Sequence, residues 1–215
     1  MDDELIWKIT KPPASLSYHI DVIHAGTELY RIHADKYSAL QFNPGFGNAR
    51  FSPIRDAKGN QIPTIYAADT IKGAMMESIF HDIPFTPGVK AFDISKINGR
   101  VISLIKIEED LQFVKLSAPA SRKLGIPDAE LIHSTADLYP QTRAWGEAIH
   151  KAAAEAKGLI WMSRQDANSR CVVLFGERLQ VNSLTSVMDS ASIVDNTLYV
   201  NALLKLADEM GIDLL

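Results

Sequence analysis

PTIYAADTIKGAMMESIFH, residues 63–81, carries the change from one backbone period to another on which the fold class turns. Pro63 to Ala68 reads as a short strand. Asp69 or Thr70 can then cap a helix, because either side-chain oxygen can accept a backbone N–H left free in the first turn. The helix is expected from about Ile71 to His81, with Ile71, Ala74, Met75 and Ile79 near helical spacing and Pro84 and Pro87 ending it. Glu77 sits inside it among apolar neighbours. A charge next to a core must be paired or must serve a ligand.

Upstream, Thr27 to His33 alternates Leu29, Arg31 and His33 against Tyr30 and Ile32, the period of a strand. Residues 41–61 hold Pro44, Gly45, Gly47, Pro53 and Gly59 and read as a long irregular loop, a type that is often functional. Residues 1–20 read as irregular, with Pro12 and Pro13 stopping any early helix. Downstream, 100–108 and 111–116 read as strands around an acidic turn, and 119–124 as a short helix. Pro140 can open a longer helix, since its missing N–H is not needed in a first turn; that helix is expected to reach Ala156. Leu159–Met162 and Cys171–Phe175 read as core strands, and 196–210 as a helix striped by Tyr199, Leu203, Leu206 and Met210. Without regular alternation of strand and helix, the class is α+β, neither doubly wound nor a barrel.

At 215 residues and 47% hydrophobic, the chain is long enough for one compact domain with a real core. A net charge of −4 sits badly with a dedicated nucleic-acid binder, yet permits a local basic pocket. Cys171 is the single cysteine, so no internal disulfide can form, and its apolar run marks it as a small buried hydrophobe. There is no zinc-ligand spacing, no phosphate-binding Gly-Lys loop and no nucleophile elbow, and Gly45-x-Gly47 lacks the third glycine of a dinucleotide fingerprint. The acidic N-terminus and the absence of an 18-residue apolar run predict a soluble, cytoplasmic protein with no membrane contact. On residue pattern alone, Arg31 and Glu77 could equally form a structural ion pair, or Glu77 could face water.

Several segments in order nevertheless resemble the RES-domain family, named for an Arg, a Glu and a Ser. They are Leu29-Tyr30-Arg31-Ile32, Gly47-Asn48-Ala49-Arg50-Phe51, Ile65 to Ala68 with Tyr66 eleven residues before Glu77, Tyr139-Pro140, Leu159 to Arg164, and Arg170 to Phe175. Phe51 stands where the family more often has Trp, and 84–138 holds no matching motif. The resemblance spans about 27–178, which defines the domain; 1–26 is an N-terminal segment, and 179–215 is expected to pack on the same domain as a C-terminal extension.

The resemblance implies an ADP-ribosyltransferase-like fold, with two small sheets forming an NAD cleft among surrounding helices. It implies a toxin of a toxin–antitoxin pair that cleaves the nicotinamide–ribose bond of NAD+ by hydrolysis or phosphorolysis. Transfer of ADP-ribose to a specific protein, or a non-catalytic binding module, are the alternatives. Arg31, Tyr66 and Glu77 are the implied catalytic residues, and Tyr30, Arg31, Arg50, Tyr66 and Ser163 the implied NAD+ contacts. Glu77 would stabilise the oxocarbenium-like ribose. Arg31 and Arg50 would grip the pyrophosphate through paired N–H bonds, and Tyr66 would hold the cationic nicotinamide. Ser163 would hydrogen-bond the sugar or the nicotinamide, and Tyr30 would line the wall. NAD+ is then a substrate rather than a cofactor, no metal is implied, and the expected partner is an Xre-type helix-turn-helix antitoxin, with no direct nucleic-acid contact and self-association left open. The plainer readings are Tyr66 as a core aromatic, Ser163 as a strand-end hydroxyl and Arg50 as a solvated loop charge.

Overall fold

The computed structural model describes residues 8–81, 83, 88 and 90–215. The first half of the chain forms β1 (Ile20–Ile23), β2 (Glu28–Ala34), β3 (Ile54–Arg55), β4 (Gln61–Ile62), β5 (Thr64–Ala68), α1 (Ile71–Ser78), β6 (Lys90–Phe92) and β7 (Arg100–Ile107). There follow β8 (Leu111–Leu116), α2 (Ala118–Leu124), α3 (Asp128–Ile132), α4 (Tyr139–Ala152), β9 (Gly158–Met162) and β10 (Arg170–Phe175). The chain closes with β11 (Leu184–Ser186), β12 (Ala191–Ser192), α5 (Thr197–Met210) and β13 (Ile212–Leu214).

Nine strands form one sheet in the order β1-β8-β9-β10-β5-β2-β7-β11, with β12 also on β7. The weak point of this sheet positions everything that follows. β10 pairs with β5 over five residues and β2 with β7 over seven, but β2 and β5 share only the register pair Tyr30↔Ala68. Backbone donors and acceptors away from water must find partners. Thr64 of β5 finds its partner in Asn43 of the preceding loop, through two hydrogen bonds of 2.9 Å, rather than in β2. The sheet is therefore a five-strand half and a four-strand half joined at one point. The two separate small sheets implied by the resemblance are replaced by this single split sheet, beside two-stranded pairs β3–β4 and β6–β13.

Leu29, Arg31 and His33 of β2 are buried on one face, and Tyr30, Ile32 and Ala34 are half-buried on the other, as a period of two requires. Three clusters make the core. Phe51, Trp145, Ile149, Trp161 and Phe175 pack α4 against the five-strand half. Leu29, Ile105, Phe113 and Leu174 fill the opposite face, and Met75, Phe80, Ile102, Leu203 and Leu206 join α1 and α5 to β7. Each such side chain contributes about 1.5–3 kcal/mol on burial.

Thr70 caps α1 by accepting the N–H of Gly73 at 2.9 Å. The helix closes at Ser78, earlier than its pattern predicts, because the N–H groups of Ile79 and Phe80 both turn back to the Met75 carbonyl. Pro84 and Pro87, expected to end it, lie outside the described residues. α4 likewise closes at Ala152 rather than Ala156. Arg178 donates to the carbonyls of His150, Ala153 and Ala156, satisfying the helix end from a distant part of the chain. The described parts of both flanking segments, 8–26 and 179–215, join the fold. Ile9 is buried, Thr10 accepts from the Trp145 indole at 2.6 Å, and β1 pairs with β8. At the other end β11 and β12 extend the sheet along β7. Among the described residues no helix is long and apolar enough to cross a membrane.

Candidate functional site

Glu77 lies on the last turn of α1 with only 14% of its side chain exposed. Two groups hold it. The Ser163 hydroxyl, just past the end of β9, donates to its Oε1 at 2.8 Å. The Arg50 guanidinium lies 3.6 Å from its Oε2. Ser163 is fixed in turn, since its Oγ accepts the N–H groups of Gln165 and Asp166 at 3.2 and 3.3 Å. Arg50 is buried above the Tyr139 ring, and its carbonyl accepts from Thr142 of α4. A carboxylate this far from water needs such partners. Two donors nearby lack partners among the described residues: the Nε of Arg50 and the indole N–H of Trp161 are buried without a hydrogen bond. Buried donors of this kind call for a ligand or a water.

Past the Tyr30–Ala68 pair the two half-sheets part beside two cavities, each with its own mouth, and Ile32 and Tyr66 line both. The mouth under α1 is narrow, about 10 Å³, bounded by Tyr30, Glu77, Trp161 and Cys171. That is room for about one water. The opposite mouth is wide, about 200 Å³, and is lined by Arg31, Tyr37, Phe42, Phe46 and Arg100 among others. Tyr66 borders both cavities. Its oxygen accepts the Phe51 N–H at 2.9 Å, and burial pushes its pKa well above the ordinary phenol value, so it is a neutral hydroxyl near pH 7. Burial also pushes the Cys171 thiol up, leaving it a protonated, unreactive wall.

Arg50, Glu77 and Ser163 are thus brought into direct contact, with Tyr30 and Tyr66 beside the carboxylate. Arg31 is not part of that cluster. Its Nη1 donates to the Ala39 carbonyl at 2.5 Å and, weakly, to Ser38 at 3.4 Å, and its Nη2 donates to Gln41 at 2.7 Å. Burial lowers its pKa to about 10, so it stays charged near pH 7. The paired N–H bonds expected of it toward a pyrophosphate are committed to the loop. The ion pair that residue pattern allowed between Arg31 and Glu77 does not form; strand alternation puts Arg31 on the other sheet face, and Arg50 is the cation that meets the carboxylate. Sequence reasoning missed Tyr139, Thr142 and Arg100. Only Tyr139 carried a signal, as the start of a quoted helix motif.

His33 is buried behind the wide mouth, with Nδ1 against the Ala34 carbonyl at 2.9 Å and Nε2 against the Ser103 hydroxyl at 2.7 Å. Burial lowers its pKa. Among the described residues no group of three or more His, Cys, Asp or Glu could hold a metal ion.

One family, the RES domain, matches the chain over residues 28–190. The matched stretch runs from the start of β2 past β11, beyond residue 178 where the motif resemblance ends, and includes every residue named around both mouths. No curated protein matches the chain.

Proposed function

This chain belongs to the RES-domain family, whose members generally act on NAD and are typically paired with antitoxins, and from that premise we propose that it is the toxin of such a pair and cleaves NAD+ between nicotinamide and ribose. The observation that carries the reading is the Glu77 carboxylate, sequestered at the narrow end of a split sheet and held by Ser163 and Arg50. We read that split, with nucleotide-sized room on one side, as an ADP-ribosyltransferase-like cleft.

When the C1′–N bond breaks, nicotinamide leaves with the bonding pair as a neutral base. No general acid is therefore required, and positive charge develops on the ribose. A fixed carboxylate beside C1′ stabilises that charge. Ser163 keeps the carboxylate oriented, and Arg50 makes its burial tolerable and offers its free Nε–H to substrate oxygen. Tyr66 and Tyr30 wall the nicotinamide, where an aromatic face attracts its cationic ring by about 0.5–2 kcal/mol. Water or phosphate then bonds to C1′ and gives up a proton, yielding ADP-ribose or its 1-phosphate. Because the narrow mouth holds about one water, substrate entry must part the side chains that line it. An Xre-type antitoxin would silence the enzyme by covering the cleft.

The test is incubation of purified protein with NAD+, with and without phosphate, followed by mass spectrometry. Free nicotinamide with ADP-ribose or its phosphate is the expected result. Label from NAD+ on a protein band would assign the transferase reaction instead. NAD+ left intact after long incubation with folded protein would refute cleavage.

A further inference from the structure

We infer that the turn between β9 and β10, residues 163–169, is a clamp that sets the position of Glu77, with Asp166 as the positioning residue on which it depends. The clamp rests on contacts within the fold. Its consequence for turnover rests on the NAD+ reading above.

The turn meets α1 at three places. At the start of the helix, the fully buried Ser169 hydroxyl donates to the Asp166 carboxylate at 2.5 Å. Its single proton is used there, so the Thr70 hydroxyl, 2.5 Å away, is the donor to Ser169. Thr70 in turn accepts the Gly73 N–H as the helix cap. A chain of donors therefore runs from the first turn of α1 to the Asp166 carboxylate, and a bond that ends on a charge is stronger than one between neutral groups. The second place is Ser163, which donates to Glu77 at 2.8 Å. From Thr70 to Glu77 the helix rises about 10 Å, so the turn spans most of its length. The third lies past the helix end, where Arg164 donates to the His81 carbonyl at 2.8 Å.

The turn cannot yield at one end alone. The Ser163 N–H donates to the Ser169 carbonyl at 2.8 Å, and the Ser169 N–H to the Asp166 carbonyl at 2.9 Å. A serine hydroxyl has one proton and two acceptor sites. At Ser163 the N–H groups of Gln165 and Asp166 take the acceptor sites, and the proton goes to Glu77. With all three occupied, the hydroxyl has no rotation left with which to follow a carboxylate that moves. Asp166 joins both ends, since its carboxylate terminates the Thr70–Ser169 chain and its N–H holds Ser163. Gly73 shows how close the helix lies. A Cβ there would sit 2.6 Å from the Ser169 Cβ and 2.9 Å from its Oγ. Glycine is a poorer helix former than alanine, and here it gives α1 room to rest on the turn. A misplacement of about 1 Å at a reacting centre can cost on the order of 100-fold in rate, so even a small release of α1 would be felt.

Asp166→Ala removes the acceptor of the Ser169 hydroxyl, and Asp166→Asn keeps an acceptor oxygen in its place. In steady-state nicotinamide release, Asp166→Ala should lower kcat about tenfold, the scale of one charged hydrogen bond, with KM within about twofold of wild type. Asp166→Asn should recover most of that loss. Amide hydrogen exchange, read by mass spectrometry, should become about tenfold faster over α1 in Asp166→Ala and stay unchanged in α4. Thr70→Val cuts the same chain from the helix side and should reproduce both effects, so the result does not hang on the folding of one variant, which circular dichroism checks. Unchanged exchange in α1, or a wild-type kcat in Asp166→Ala, would overturn the inference; a raised KM with that wild-type kcat would put Asp166 on the substrate. Faster exchange in α1 of the variants, with NAD+ left intact by the wild type, would remove the proposed activity and uphold the clamp.

Discussion

Replacing Arg31 by Met separates a loop anchor from a pyrophosphate ligand. Two of its hydrogen bonds are short, 2.5 Å to Ala39 and 2.7 Å to Gln41, while the contact with Ser38 at 3.4 Å contributes little. A hydrogen bond from a charged donor contributes about 1.5–3 kcal/mol, so the two together provide about 3–6 kcal/mol. Burial opposes this. The pKa depressed to about 10 corresponds, at about 1.4 kcal/mol per pH unit, to roughly 3 kcal/mol against the charged form. Met fills much of the same space without that penalty. The net loss should be about 2 kcal/mol, or roughly 4–8 °C in Tm for a chain of this size. KM for NAD+ should rise as well, because Phe42, Asn43 and Phe46 sit on the segment released. Urea denaturation followed by tryptophan fluorescence, with steady-state NAD+ cleavage alongside, measures both. A variant with wild-type stability and greatly weakened NAD+ binding would put the guanidinium on the ligand and refute the anchoring argument.

Glu77→Gln should lower kcat for nicotinamide release by on the order of 100-fold or more, the scale of one preorganised electrostatic group; a wild-type rate would end its assigned role. Gly158→Ala in β9 would set a Cβ 1.9 Å from the Val173 carbonyl oxygen and 3.1 Å from the Phe113 ring. With backbone rather than a flexible side chain in the way, the loss should reach about 3 kcal/mol, and an unchanged melting temperature would contradict the packing described. His33 has a folded pKa below its ordinary value of 6.5 because burial opposes the charge. The unfolded chain takes up that proton first, so stability should fall as pH drops below about 6.5 toward the lower folded value. Urea midpoints at pH 7.5 and 5.5 should show His33→Gln losing less than the wild type; equal losses would mean that His33 titrates alike in both states.

The parts of the fold legible in the sequence are those set by near neighbours. Alternation in β2, the Thr70 cap and the apolar stripe of α5 depend on residues at most a turn or two apart, and their periods survive in any single sequence. The strands 20–23, 184–186, 191–192 and 212–214 were not legible, because each is short and exists only through the partner it meets. The ends of α1 and α4 depart from their sequence patterns for a related reason, since Arg178 and the backward turn at Phe80 are not part of any helical pattern. Order and spacing of motifs point to Tyr30, Arg31, Arg50, Tyr66, Glu77 and Ser163 as residues of one site, and of these Arg31 stands apart from the carboxylate. Which cation meets the carboxylate was decided elsewhere. Asn43 takes the backbone of Thr64, β5 parts from β2 beyond a single pair, and Arg50 meets Glu77 there, while strand alternation keeps Arg31 on the other face. Sequence alone determined the chemical groups at hand and their local backbone. Their distances and the sign of charge at each mouth arose only on folding, since they depend on contacts between segments tens of residues apart.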